Sequence, residues 1–308
     1  MTSAPLTRRA IAPLLLAGAT LLLSACGGGG TDSAPSSSSE AGSTSVVAAF
    51  YPLQYAAQAV GGDTVSVTSL TPPGVEPHDL ELTAAQVAEI SQADVVLYIK
   101  GFQPAVDEAV AQQAPDRAID VSEGLALLSG DPAEGEINDP HVWLDPANMA
   151  AIGQAIATRL GAVDPDSAET VSANASALST AMTALDEKYT AGLSTCASTD
   201  LVVSHEAFGY LANAYGLTQV GISGLSPESE PSPARMKEVA DLVRSAGIST
   251  IYYESLVDPK VAQTIADETG ASAVMLDPLE GLAPDSTSDY VSVMETNLAT
   301  LMTGQNCG

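Results

Sequence analysis

The chain has 308 residues, of which 38 are acidic and 10 basic, giving a formal charge of −28, with only three cysteines and three histidines. Such a surface repels nucleic acid and anionic headgroups, so neither is expected as a partner. It suits a soluble body and attracts cations weakly; a charge that only keeps the protein soluble fits equally well.

The first segment reads as an export leader. Arg8 and Arg9 form a positive start, and Ile11 to Leu23 form an apolar run too short for a membrane span. "LSAC", Leu23 to Cys26, then matches a bacterial lipobox, with small side chains for a peptidase groove and a thiol to accept lipid. This predicts a lipoprotein signal peptide over 1–25 and lipidation at Cys26. The Gly/Ser-rich stretch 26–44 cannot bury a core and reads as a flexible tether. Cleavage removes two arginines and no acids, so the charge of the mature chain is about −30.

From Ser45 the pattern alternates strand and helix. "SVVAAF", "TVSVTSL" and "DVVLYIK" are strand-like; "YPLQYAAQAVGG" and "TAAQVAEISQA" are helical, the latter opening on a Thr83/Gln86 capping box. Asp145 and Pro146 read as an N-cap and first helical residue. Pro165 to Thr195 holds Val171, Ala175, Leu178, Met182, Leu185 and Tyr189 at alternating spacings of four and three, one apolar stripe on a single helix. About 26 helical residues would span about 39 Å, the length of a stiff strut. The second half repeats the plan with strands "LVVSH", "TQVGISG", "STIYYES" and "ASAVML". Its helices are "EAFGYLANAYG", "ARMKEVADLVRSAG" (Ser232 as N-cap, Pro233 first) and "PKVAQTIADETG". Short β-rich runs between helices predict parallel βαβ units. The fold class is therefore α/β: two similar lobes, 45–162 and 196–308, joined by a linker helix within 163–195.

With Cys26 used by the lipobox, Cys196 and Cys307 remain, an even pair in an oxidising compartment. They predict a disulfide, two buried free thiols being the other arrangement. The bond would close a loop of about 110 residues and add about 4–5 kcal/mol in the chain-entropy model.

The three histidines fall in three separate loops. His78 lies in "VEPHDLEL", His141 in "NDPHVWLDPANM", and His205 at the end of a strand. Ligands in open α/β sheets bind at the carboxyl ends of strands. Asp277, where "AVMLDPLEGL" stops being strand-like, lies at a fourth such end. Each residue alone also has a structural reading: a surface His, a His packed on Trp143, a strand-ending Asp in a turn. Together His78, His141, His205 and Asp277 offer an N3O donor set that suits tetrahedral Zn²⁺. "HEAFG" lacks the second His of a zinc-protease helix. Metal-bound imidazoles usually donate their other N–H to a carboxylate or carbonyl; Glu254, ending "STIYYE", is the best-placed partner, ahead of Glu76, Asp79 and Glu230.

"EPHDLELT", "DPHVWLDP", "VVSHEAFGYLANAYGL" and "LDPLEGL" resemble the signature segments of the zinc- and manganese-specific solute-binding lipoproteins of bacterial ABC transporters, over about Ser45 to Cys307. The resemblance implies a metal buried between two lobes, with ligands at His78, His141, His205 and Asp277. It also implies a monomeric, lipid-anchored protein on the outer face of the membrane that serves a permease. Manganese members typically carry Glu at the third position; His205 tilts the cargo toward zinc, with manganese the alternative. Many zinc members have a His-rich loop between the first two ligands, whereas "SGDPAEGEINDP" has acids and no His. A different class, a zinc hydrolase, would need an open coordination position for water; a shell with four protein ligands leaves none.

Overall fold

In the computed structural model, residues 43–130 and 137–308 are described. The leader, Cys26, nearly all of the tether and residues 131–136 of the acidic loop lie outside them. Strands β1 (Thr44–Ala48), β2 (Val65–Ser69), β3 (Val95–Tyr98) and β4 (Ala118–Asp120) form one sheet, with helices α1 (Tyr51–Gly61), α2 (Ala84–Gln92) and α3 (Pro104–Gln113) in its connections. After α4 (Pro146–Val163) and α5 (Ala168–Leu193), a second sheet is built from β5 (Asp200–Val203), β6 (Thr218–Gly221), β7 (Thr250–Tyr253) and β8 (Ser272–Met275). Its connecting helices are α6 (Gly209–Tyr215), α7 (Pro233–Ala246) and α8 (Lys260–Thr269), and α9 (Tyr290–Gly304) closes the chain.

The two sheets have the same plan. Their orders are β2-β1-β3-β4 and β6-β5-β7-β8, and every neighbouring pair is parallel. Parallel sheets are covered on both faces, which is why β1 and β3 carry the apolar runs Val46–Ala48 and Val95–Leu97. Val46, Val47, Val95, Val96 and Leu97 are all buried.

Local chemistry sets the helix starts. The Thr83 hydroxyl accepts from the Gln86 N–H while Gln86 Oε1 accepts from the Thr83 N–H, the expected capping box. The Asp145 carboxylate accepts from Ala147 N–H at 2.8 Å, and Ser232 Oγ from Arg235 N–H at 3.2 Å. The helix after His205 begins later than its pattern suggests. His205 to Phe208 form a turn in which the Ala207 N–H donates to His205 O at 2.9 Å, so helical geometry starts at Gly209. Helices α3 and α9 and the three-residue strand β4 are additional to the elements read from the sequence.

Helix α5 is 26 residues long, and its stripe Val171, Ala175, Leu178, Met182, Leu185 and Tyr189 is buried throughout. It packs on α1 and α4 on one side and on α9 on the other, so it touches both halves. Gly153 of α4 allows close approach: a Cβ there would stand 2.7 Å from Leu178 Cδ2. Tyr189 donates its hydroxyl to Met294 O of α9 at 2.7 Å. One continuous core runs from β1 and β3 through α4 and α5 to Leu201, Phe208, Tyr252 and Tyr290 of the second half. No helix among the described residues is long and apolar enough to cross a membrane.

Cys196 and Cys307 form a disulfide, 111 residues apart in sequence, which ties the end of the chain to the segment after α5. Thr195 Oγ1 donates to Gly308 O at 2.6 Å beside it. Replacing both cysteines by serine is expected to lower stability by about 2–5 kcal/mol. Denaturant unfolding of the variant and the oxidised parent checks this, and equal midpoints would show that the bridge adds no stability.

Candidate metal centre

The site is assembled from strand ends. His78 lies between β2 and α2, His141 follows β4 at the start of a short turn before α4, and His205 stands two residues beyond β5. Glu254 follows β7 directly, and Glu280 stands five residues beyond β8. Parallel sheets with the same strand order thus bring their carboxyl ends to one place.

There the three imidazoles converge on one carboxylate. Glu280 Oε1 is 3.5 Å from His78 Nε2, 3.3 Å from His141 Nε2 and 3.1 Å from His205 Nε2. One donor atom from each of the four residues lies within 4.8 Å of every other, the single such group of His, Cys, Asp or Glu among the described residues. All four are buried, at 7% exposure for His78, 0% for His141 and 1% for His205 and Glu280.

Asp277 does not join this group. Its Oδ1 accepts from the Leu279 N–H at 2.8 Å, and its backbone pairs with the Asn297 side chain. The sequence reading placed the carboxylate at the first acid after the strand. The chain instead runs on past Pro278 and turns at Leu279 before the acidic side chain meets the imidazoles. Glu280 was within reach of the sequence, inside "LDPLEGL", but nothing local separates a carboxylate at a strand end from one three residues on.

Outer partners fix the rings. His205 Nδ1 lies 2.9 Å from Glu254 Oε1, which also accepts from Ser204 Oγ. His141 Nδ1 lies 2.8 Å from Asp139 Oδ1, which accepts the His141 backbone N–H as well. Each Nδ1–H then donates to a carboxylate, leaving Nε2 to face Glu280. The sequence reading missed Asp139, although an acid two residues before a candidate ligand was a usable signal. Glu76 accepts the backbone N–H of His78 at 3.0 Å through both oxygens rather than holding its ring. Glu230, in the loop before α7, and Asp79, next to His78, are both exposed. Phe102 and Trp143 wall the first-half side, their rings 4.6 Å from His78 and 5.2 Å from His141.

The electrostatics follow from this burial. Burial opposes the charge of Glu280, but His205, His141 and His78 outweigh it and hold its carboxyl well below the usual range. Burial likewise opposes a charged His205, yet Glu280 and Glu254 push its pKa up to about 10. Burial lowers His78 below the ordinary imidazole value. His141 is raised despite its burial, by Asp139 and Glu280. Burial raises the Glu76 carboxyl to about 7.

The arrangement fits a tetrahedral metal. His78 Nε2, His141 Nε2 and Glu280 Oε2 are buried without a hydrogen-bond partner, an arrangement that is costly unless something else satisfies them. A tetrahedron with bonds of about 2.0–2.1 Å has edges of about 3.3 Å. The three Glu280–imidazole separations of 3.1–3.5 Å bracket that edge, while the four donors as a set are held more loosely, within 4.8 Å of one another.

The family described as zinc-uptake complex component A, periplasmic (ZnuA), matches residues 46–304. The zinc-binding lipoprotein AdcA of Streptococcus pneumoniae serotype 4 is 36% identical over 277 residues, 84% of this chain and 55% of its own length. The chain thus spans about half the length of that relative. The high-affinity zinc uptake system protein ZnuA of Bacillus subtilis is 32% identical over 274 residues, 83% of this chain and 86% of its own. The crystal structure of the Zn(II)-bound ZnuA-like domain of Streptococcus pneumoniae AdcA superposes with a TM-score of 0.75 at 36% identity, over 86% of this chain and 100% of that one.

A pH dependence follows for the metal-free protein. His205 has its folded pKa raised, so its contribution is fully present below about pH 6.5 and is lost as pH rises through about 10. Glu280 is depressed, so its contribution is present above about pH 4.5 and lost on acidification. Thermal melts in a chelator should therefore show the melting temperature falling from about pH 6.5 toward pH 10, with a much smaller fall in His205→Gln. A parent curve that is flat or rising over that range contradicts this assignment.

Proposed function

This chain belongs to the family of zinc-uptake complex component A, and on that premise we propose that it captures Zn²⁺ outside the cytoplasm and delivers it to the permease of an ABC transporter. The ligands in this reading are His78, His141, His205 and Glu280, with Glu254 and Asp139 orienting two of the rings. The carrying observation is the single carboxylate oxygen held 3.1–3.5 Å from three imidazole nitrogens, at the spacing of a zinc tetrahedron.

Three imidazoles and one carboxylate around Zn²⁺ leave a net charge of about +1 in a buried site, moderated by Asp139 and Glu254 behind the rings. Nitrogen-rich donors favour zinc over manganese, which suits oxygen ligands better. Four protein donors fill a tetrahedral shell and leave no position for an activated water, which supports a cargo site without turnover over a hydrolytic one.

The remaining assignments complete the reading. Residues 1–25 act as a lipoprotein signal, Cys26 carries the lipid, 26–44 is the tether, and the lobes 45–162 and 196–308 with the linker 163–195 form a monomeric metal-binding body. The AdcA relative is itself named a lipoprotein, which supports an anchor on the outer face of the membrane.

Competition titration of the metal-stripped chain against a zinc chelator, with Trp143 fluorescence and elemental analysis as readouts, tests the proposal. The expected result is one zinc per chain, tighter binding of zinc than of manganese, and a loss in His205→Ala exceeding the ~100-fold typical of an outer partner. Tighter manganese binding, or an unchanged zinc affinity in His205→Ala, would overturn it.

A further inference from the structure

Glu280 has to be placed on three targets at once, yet it stands five residues beyond β8, in a segment with no regular structure of its own. The backbone just before it is tied group by group. The Asp277 N–H donates to Asn297 Oδ1 at 3.0 Å, and Asp277 O accepts from Asn297 Nδ2 at 2.7 Å. Pro278 O accepts from Trp143 Nε1 at 2.8 Å, and the Leu279 N–H donates to Asp277 Oδ1 at 2.8 Å. Three of these ties come from two residues outside the segment: Asn297 lies on α9, and Trp143 lies two residues from His141.

Leu279 is the unusual residue. Its φ is 59°, one of two positive values at non-glycine residues among those described. An L-residue with a γ-branched side chain adopts the left-handed region at a steric cost, and such turns normally carry Gly or Asn. Two things hold Leu279 there. Its side chain is fully buried, and the Asp277 carboxylate closes an Asx-type turn onto its N–H. The left-handed residue immediately precedes Glu280, so this turn sets the direction in which the Glu280 side chain leaves the backbone.

We propose that Asp277 is a positioning residue for the metal site: by holding Leu279 left-handed, it aims Glu280 at the three imidazoles. The proposal rests on the reading of Glu280 as a metal-binding carboxylate. A site whose donors must be correct to about 0.5 Å depends on such supports. The carboxylate thus serves the metal through the backbone and not by coordinating it.

The test is a double-mutant cycle on the purified chain, reading zinc affinity by chelator competition and zinc release by stopped flow, with circular dichroism to confirm folding. Asp277→Ala should weaken zinc binding about 10–100-fold, mainly through faster release. Asp277→Asn keeps the Oδ1 acceptor and should stay close to the parent. In a Leu279→Gly background the backbone adopts positive φ without help, so adding Asp277→Ala should then cost little; the cavity left by the leucine is common to both members of that comparison. In a Glu280→Ala background, Asp277→Ala should cost nothing further. Should Asp277→Ala fail to fold, Asp277→Ser, with a shorter and weaker acceptor, takes its place. An unchanged affinity in Asp277→Ala, or an equal loss with and without Glu280, overturns the positioning role while leaving Glu280 as a ligand. An unchanged affinity in Glu280→Ala alone overturns the ligand reading and this inference with it.

Discussion

The structure turns on one carboxylate oxygen shared by three imidazoles. Glu280 Oε1 reaches His78, His141 and His205 at separations between 3.1 and 3.5 Å, and all four side chains are withdrawn from water. Buried charge of this kind is unfavourable unless a counter-charge or a metal completes it. Without a metal, Glu280 and Glu254 favour a proton on His205 and outweigh the burial that would lower that imidazole. Zn²⁺ would replace the proton with a stronger and four-way interaction, so binding is coupled to proton release.

The rest of the fold can be understood as what holds those four groups at that spacing. Two sheets with the same strand order present their carboxyl ends to one another, and each half contributes two of the four groups. The two halves are packed together. One core cluster passes through both, a second lies within the second half around Val202, Val239 and Ile265, and α5 contacts α1, α4 and α9. Polar ties cross between them at the site: Trp143 Nε1 donates to Pro278 O, Tyr290 donates to Trp143 O at 2.6 Å, and Tyr210 donates to Asp139 O at 2.8 Å. The last of these steadies the backbone of the residue that orients His141.

Much of this was legible in the sequence, for physical reasons. The alternating strand and helix pattern, the 26-residue strut and the caps at Thr83, Asp145 and Ser232 are local signals, and the structure realises each. The histidines stood out because only three exist and each falls in a loop at a strand end. What the sequence hid was non-local. Asp277 and Glu280 are both acids after the same strand, and the choice between them is made by a left-handed turn, by Asn297 twenty residues on and by Trp143 in the other half. No periodicity encodes those contacts. Asp139 behind His141 was missed although it stands only two residues away, because a turn residue before a proline already has a sufficient local explanation. The short β4, with three residues, and α9 carry signals too weak or too uniformly apolar to separate from their surroundings.

Three imidazoles and one glutamate closed around a single zinc ion would leave a distinct scattering signature. X-ray absorption at the zinc K-edge of the zinc-loaded chain tests for that shell most directly. Four scatterers are expected, three of them imidazole nitrogens and one a carboxylate oxygen, at about 2.0–2.2 Å. A shell of only two imidazoles, a sulfur at about 2.3 Å, or five to six ligands including water would contradict it.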